Sequence, residues 1–439
     1  MKLSSIYNAN AEFSYDSAFS ASRVLQFSCL SAESSLDLSR LKHFIVSVVV
    51  LFASSLVHGD ELGSILSENK ELLFDYQFQS NELESDKLSK SWVNPITLRY
   101  NKNYSTQFRD RTNKTSNYTI QIDQPIFRSG GIYYAIKYAQ VLRSANNTEI
   151  TLQKRTMIGD AVSILFNLKK NKLEQKKMRY LIKNDRIDIR QKRDSYDAGL
   201  LDSSFLDQAI LKKSQDEATL LELELNLLEL KQRFSLLSDK NPESLRLPVL
   251  KLMGKTNYSK QNLELKRDKL RAEQSAYNAK ITTAKYLPTV SLQGQYIDGD
   301  LNPLFFNPSL KERYYNYGFS VSMPLDINAF TDIEASKVEK LSAAVQVLDR
   351  EETVQEEYTW IYNSLGILDK KIDLARKDEK IYKNLFKLTK NLAQAGEKTS
   401  LDADIMNNSL QIRKLDQRIY KIDKQVQLLK LYVRVENAI

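Results

Sequence analysis

Apolar and polar positions alternate strictly from Tyr314 to Leu325. Tyr315, Tyr317, Phe319, Val321, Met323 and Leu325 share one face, and Asn316, Gly318, Ser320 and Ser322 share the other. A period of two over about a dozen residues predicts a strand longer than the ordinary five or six. A strand crossing a bilayer needs about 9–11 residues. Rings at one end of the apolar face and aliphatic groups toward the other suit a wall with lipid on one side and water on the other. Taken alone, the same pattern also fits the edge of a soluble sandwich.

Three further stretches repeat it. Val290, Leu292 and Tyr296 alternate with Ser291, Gln293 and Gln295 just before that strand. About 195 residues earlier, Ile96, Leu98 and Tyr100 alternate with Thr97, Arg99 and Asn101, and Tyr118, Ile120 and Ile122 with Thr119, Gln121 and Asp123. Pro95 and Pro288 precede the first strand of each pair, and Pro125 and Pro324 mark the end of each second. The chain is read as a duplication: strand, loop, strand, long helix, twice.

Between the strand pairs the period changes to helical. Helices are expected over about 61–90, 132–195, 204–238, 259–285, 330–393 and 400–436, with strands at about 93–104 and 116–127 joined by a polar loop at 105–115. The divisions that follow are 1–59 extension and signal peptide, 60–91 first helix, 92–128 first strand pair and 129–238 first helical hairpin. Then come 239–258 connector (with Pro242 and Pro248), 259–285 helix, 286–327 second strand pair and 328–439 second helical hairpin. Each long helix, about 64 residues and about 96 Å, matches two half-length helices laid end to end. Helices of this length without a globular core bury their apolar stripes against one another, as in coiled coils and bundles. Gly199 and Gly396 suit a positive φ at the two hairpin turns, with Ser203 or Ser204 capping the helix after the first.

Composition narrows the function classes. Twelve glycines, eight prolines and 27% charged residues in 439 are a helix-rich composition. One cysteine, Cys29, excludes a disulfide framework within the chain, and two histidines, His43 and His58, leave the body without a histidine-based metal site or a Ser–His triad. No phosphate-cradling glycine loop is present, so an enzyme is not expected, nor is a cofactor. Asp298-Gly-Asp300 resembles a fragment of a calcium loop, but two acids in a hairpin are weak. A net charge of +9 raises nucleic-acid binding, yet Lys and Arg interleave with Asp and Glu as on solvated helix faces. The exception is 169–193, with eleven Lys or Arg against Glu174, Asp185 and Asp188. Residues 43–57, preceded by Arg40 and Lys42, read as the apolar region of a secretory signal peptide cut near Gly59. The polar stretch 1–42 before it points to a gene start near Leu38 or Leu41 instead, and a working signal peptide excludes a nucleic-acid role.

Four membrane strands do not close a barrel, and unpaired backbone edges cost several kcal/mol each in hydrocarbon. Strands are therefore expected to be pooled between copies: two copies give eight strands with a filled interior, and three give twelve with a lumen.

The strand pairs NPITLRY with YTIQIDQPIF and YLPTVSLQGQY with GFSVSMPL, the turns AGLLDSSFLD and AGEKTSLDAD, and the duplication together resemble the TolC family of outer-membrane efflux and type I secretion channels over about 61–439. The resemblance implies a mainly α chain with a small β part. Its long antiparallel hairpins would form a trimeric α-barrel tunnel, joined to a twelve-strand transmembrane barrel with four strands per protomer. It implies a bacterial outer-membrane location with most of the chain in the periplasm, and a passive exit duct docked to a periplasmic adaptor and an inner-membrane transporter. A periplasmic coiled-coil adaptor or structural protein is the alternative, but such proteins do not carry two pairs of aromatic-rich, membrane-length strands.

In that family polar bonds near the turns hold the periplasmic end closed, and acidic residues ring its entrance. The turn pattern falls on Gly396, Lys398 and Asp402, with two departures: the family's tyrosine is Ala393, and the second acid, Asp404, comes one position early. Asp207, or Asp202, is the partner implied for Lys398. The plain reading of these acids is a helix N-terminus, favoured by the dipole. Lys176, Lys177 and Lys183 are the positions for adaptor docking, against the plain reading of a solvated helix face.

Overall fold

The computed structural model describes residues 65–108, 111–300 and 309–436, all within a unit that spans 60–439. The expected signal peptide, the alternative start at Leu38 or Leu41, Cys29, His43 and His58 lie outside the described residues.

The described order is α1 (Glu68–Ser89), β1 (Thr97–Phe108), β2 (Arg111–Phe127), α2 (Gly131–Asp197), α3 (Ser203–Ser235), α4 (Lys255–Gln261), α5 (Leu263–Lys285), β3 (Thr289–Gly299), β4 (Arg313–Ser322), α6 (Ala329–Gln394) and α7 (Ser400–Val433). The molecule is mainly helical with one small antiparallel sheet. The duplication is plain in element lengths. Helices of 22, 67 and 33 residues in the first unit answer to 23, 66 and 34 in the second.

The strands form one sheet in the order β1-β2-β3-β4. Pairing runs through Leu98↔Ile120, Ile120↔Tyr296 and Tyr296↔Tyr315, so the apolar faces of all four strands lie on one side. The expected loop at 105–115 is mostly strand: Asn103 pairs with Thr115, Tyr104 with Lys114 and Ser105 with Asn113. Ladder hydrogen bonds join backbone groups, so polar side chains did not end the hairpin where the apolar alternation ended. The last strand stops at Ser322 rather than Leu325, because Pro324 has no N–H to continue the ladder.

α2 runs through both halves of the helical part, and α1, α3, α5 and α7 pack against it. Its sheet-proximal half lies between α1 and α5, and its distal half between α3 and α7. α6 closes the row on the far side, against α5 and then α7. Each half of the molecule is thus a row of four helices, with α2 inside and α6 at one edge.

The core lies where half-length helices meet end to end. Phe74, Val162, Phe166, Phe234, Leu250, Tyr258, Val354, Ile361 and Leu431 are all buried there. Gly159 lets α2 approach α7: a Cβ there would overlap the Val433 side chain. The connector is not wholly irregular, since α4 forms within the expected 239–258 boundary and beyond it. Asn262 then turns extended and its side chain accepts from the Leu265 N–H at 3.0 Å, so the next helix starts at Leu263 rather than 259. The chain end locks this region. Leu263 N–H donates to the Arg434 carbonyl at 2.9 Å, Arg434 pairs with Glu357 and Glu264, and Lys266 pairs with Glu436. Burial pushes the Tyr258 hydroxyl beside Arg434 up to about 12.

Candidate functional site

The two hairpin tips are built alike. Gly199 and Gly396 take φ values of +66° and +81°, a left-handed conformation that lets the chain leave α2 and α6. Backbone bonds close each turn: Leu200 N–H to Ser195 O at 2.9 Å, and Glu397 N–H to Leu392 O at 2.9 Å.

The helices leaving the tips are capped by different residues. In the first, the cap is Asp202 rather than Ser203 or Ser204: its carboxylate accepts from Ser204 N–H at 2.9 Å. The serine side chains lose this position because Asp202 is the last extended residue, and the Ncap position goes with that backbone. In the second, Thr399 and Asp402 form a capping box. The Asp402 carboxylate accepts from Thr399 N–H at 3.1 Å and Oγ1 at 2.8 Å, and from Gln191 Nε2 on α2 at 3.0 Å. Hydrogen bonds from Ser204 hold the Asp202 carboxyl below the usual range. Those from Thr399, then Gln191, with the Lys398 charge, do the same for Asp402.

Lys398, Asp404 and Asp207 are exposed at the same end. Among the described residues no ion pair within the chain joins Lys398 to Asp207 or Asp202. The structure therefore brings Asp402 together with Gln191, a partner the sequence did not single out. Its only sequence trace is its place four residues before Ser195 on the last turns of α2.

The basic run 169–193 lies on α2, and much of it is neutralised by acids of neighbouring helices and of the connector. Lys170 pairs with Asp423 at 2.8 Å, Lys172 with Glu243 at 2.7 Å, Arg179 with Glu224 at 3.5 Å and Arg186 with Glu217 at 3.6 Å. Lys177 pairs at 2.7 Å with the buried carboxylate of Asp416 on α7, so it is tied between hairpins, whereas Lys176 and Lys183 are exposed. A second buried acid, Asp185, interrupts the apolar stripe between Ile182 and Ile189. It meets Lys212 of α3, with Asp216 close by, and burial pushes its carboxyl up. A lone acid at stripe spacing was the signal that could have marked it.

The sheet separates two chemistries. One face carries Leu98, Tyr100, Tyr118, Ile120, Ile122, Leu292, Tyr296, Tyr315, Tyr317, Phe319 and Val321. Most are exposed, Tyr317 to 84% and Phe319 to 74%, so this apolar face is uncovered in the single chain. The other face carries Thr97, Asn101, Asn117, Thr119, Gln121, Gln293, Gln295, Asn316 and Ser320. Of the two acids in the calcium-like fragment, Asp298 pairs with Arg313 at 3.2 Å and Asp300 accepts from Ser116 N–H and Oγ at 2.8 Å.

No family model and no curated protein matches the sequence. Solved structures do match the fold. The outer membrane protein VceC of Vibrio cholerae superposes with a TM-score of 0.67 at 15% identity, over 91% of this chain and 97% of that one. The CmeC outer membrane channel of Campylobacter jejuni gives 0.65 at 13%, over 92% and 90%. The fold is that of the TolC-like outer-membrane channels. The open state of the MtrE outer membrane channel of Neisseria gonorrhoeae gives 0.60 at 13%, over 86% and 88%. In this TolC-like fold the apolar sheet face and both hairpin tips belong to a single chain-long architecture rather than to separate modules.

Proposed function

We propose that the chain is an outer-membrane channel, the passive exit duct of a tripartite efflux pump or a type I secretion system. The observation that carries this is the sheet. It is uncovered and apolar on one face, polar on the other, open at both edges, and joined end-on to helices about 100 Å long. In hydrocarbon the edges at β1 and β4 must pair with other copies. Three copies supply twelve strands and a lumen. The helical rows are open at the same two edges, so one contact between copies would pair strands and helices together.

In this reading the protein is a homotrimer in the bacterial outer membrane, with its helices in the periplasm, working with a periplasmic adaptor and an inner-membrane transporter. The tips form the entrance. Asp402 and Asp404 line it, with Asp202 and Asp207 on the neighbouring turn, Lys398 bridges to Asp207 of an adjacent copy, and Gly199 and Gly396 set the turns. A ring of carboxylates at a constriction favours cations. Exposed Lys176 and Lys183 are the docking positions on this surface, and Lys177 serves the hairpin junction instead. The adaptor reading has no observation of its own here, and the uncovered apolar sheet face speaks against it.

Single-channel conductance in a planar bilayer tests the proposal. The wild type should show a low, cation-preferring conductance, and Asp402→Ala should weaken the cation preference. A channel indifferent to that substitution would move the gate elsewhere, and a soluble monomer would sink the whole reading.

A further inference from the structure

Building on the outer-membrane reading, we propose that Lys102 and Lys114 form an outward-facing clamp for the phosphate groups of a phosphorylated glycolipid in the outer leaflet. The sheet register sets their height. On the apolar face, successive cross-strand rows climb from Val290↔Val321 through Leu292↔Phe319 and Ile122↔Gly294↔Tyr317 to Leu98↔Ile120↔Tyr296↔Tyr315. The next row, Tyr100↔Tyr118↔Asp298↔Arg313, holds the first charges. Its two tyrosine rings lie 4.7 Å apart, as in the aromatic belt at a bilayer surface. One row further out Lys102 faces Ser116, and beyond it Tyr104 faces Lys114. At this end β1 finishes and β2 begins, as do β3 and β4, away from the helices.

Both lysines project on the lipid side, just past the belt, where headgroup phosphates lie. Their Nζ atoms both lie near one ring, 5.6 Å and 5.8 Å from the Tyr104 centroid. Both are exposed, and among the described residues neither has an acidic partner, whereas Arg313 is neutralised by Asp298. Two ammonium groups held about one ring on a rigid ladder match an anion presented from the membrane plane. The tyrosine they share packs against the acyl or sugar portion of the lipid.

The test counts lipids bound to the purified full-chain oligomer by native mass spectrometry. The probes are diphosphoryl lipid A and the same lipid stripped of phosphate. The wild type should prefer the phosphorylated form. K102Q/K114Q should bind it about 25-fold more weakly, about fivefold per lysine, with binding of the stripped lipid unchanged. K102R/K114R should retain the preference, and K255Q/K260Q, far from the sheet, serves as the charge-matched control. A wild-type preference in K102Q/K114Q, or a wild type indifferent to phosphate, overturns the proposal, as does displacement of the lipid by inorganic phosphate alone. A wild type that conducts in bilayers but lacks the preference refutes the clamp only; one that neither inserts nor conducts refutes the outer-membrane reading.

Discussion

The two repeated units carry matching elements and opposite burial. α2 buries sixteen residues, while α6, one residue shorter, buries eight. The returning helices reverse the order: α7 buries ten and α3 only three. Position in the row explains this. α2 and α7 are flanked on both sides, whereas α3 and α6 stand at the two edges of the distal row. Yet the edge helices keep apolar stripes at helical spacing. Leu221, Leu225 and Leu228 on α3 are 59–65% exposed, and Leu341, Val345 and Leu348 on α6 are 62–65% exposed. One unit's inner surface and the other's outer surface carry the same pattern, and in the proposed homotrimer another copy would cover the exposed edges.

The sharpest way to break the comparison is to charge an edge. Leu225→Glu with Leu228→Glu should abolish the proposed oligomer while helix content, read by circular dichroism, is retained. Each leucine buried at such a junction contributes about 1.5–3 kcal/mol, and every junction of a ring loses it at once. The same pair of changes leaving the oligomer intact by light scattering would mean that α3 faces solvent in the assembly.

A smaller effect separates the long helices themselves. Gly159 of α2 touches Val433, and Gly366 of α6 faces open space. Gly159→Ala should destabilise by about 1–3 kcal/mol through overpacking, and Gly366→Ala should stabilise by up to about 1 kcal/mol through helix propensity. Opposite shifts in Tm are expected from the same chemical change. Shifts of the same sign would show that the two helices are not distinguished by their surroundings.

Much of the architecture was legible because it is periodic. Alternation at Tyr315, Tyr317, Phe319 and Val321 gave the strand and its apolar face, and uninterrupted helical spacing gave two helices of almost equal length. The hairpin at 105–115 was misread because Lys114, Asn113 and Ser105 pair through backbone groups that a side-chain pattern does not encode. The pairing of the basic run was not legible for a related reason. Its counter-charges, Asp416, Asp423, Glu224 and Glu217, lie on other helices, and only the register between helices brings them to Lys177, Lys170, Arg179 and Arg186. At the tips, Gly199, Gly396 and Asp402 were readable as turn chemistry, whereas Gln191 joins Asp402 only through the packing of α2 on α7.

That last contact yields the finest test of the two tips. Thr399→Ala removes the cap of α7 and should cost about 1 kcal/mol. The linkage has a definite sign. Hydrogen bonds in the folded state hold the Asp402 carboxyl below its ordinary value, so its contribution is complete above the usual carboxylate range, near 4. It is lost as the pH falls below that range through the lowered folded value. Hydrogen exchange at the first turn of α7 should therefore quicken, relative to mid-helix amides, once the pH drops below about 4. The first turn of α3 should show the same acid response, because Asp202 is held down by Ser204 alone. Gln191→Ala should then weaken protection at α7 and leave α3 unchanged. Equal loss at both turns would mean that Gln191 acts through the fold of α2 rather than through Asp402.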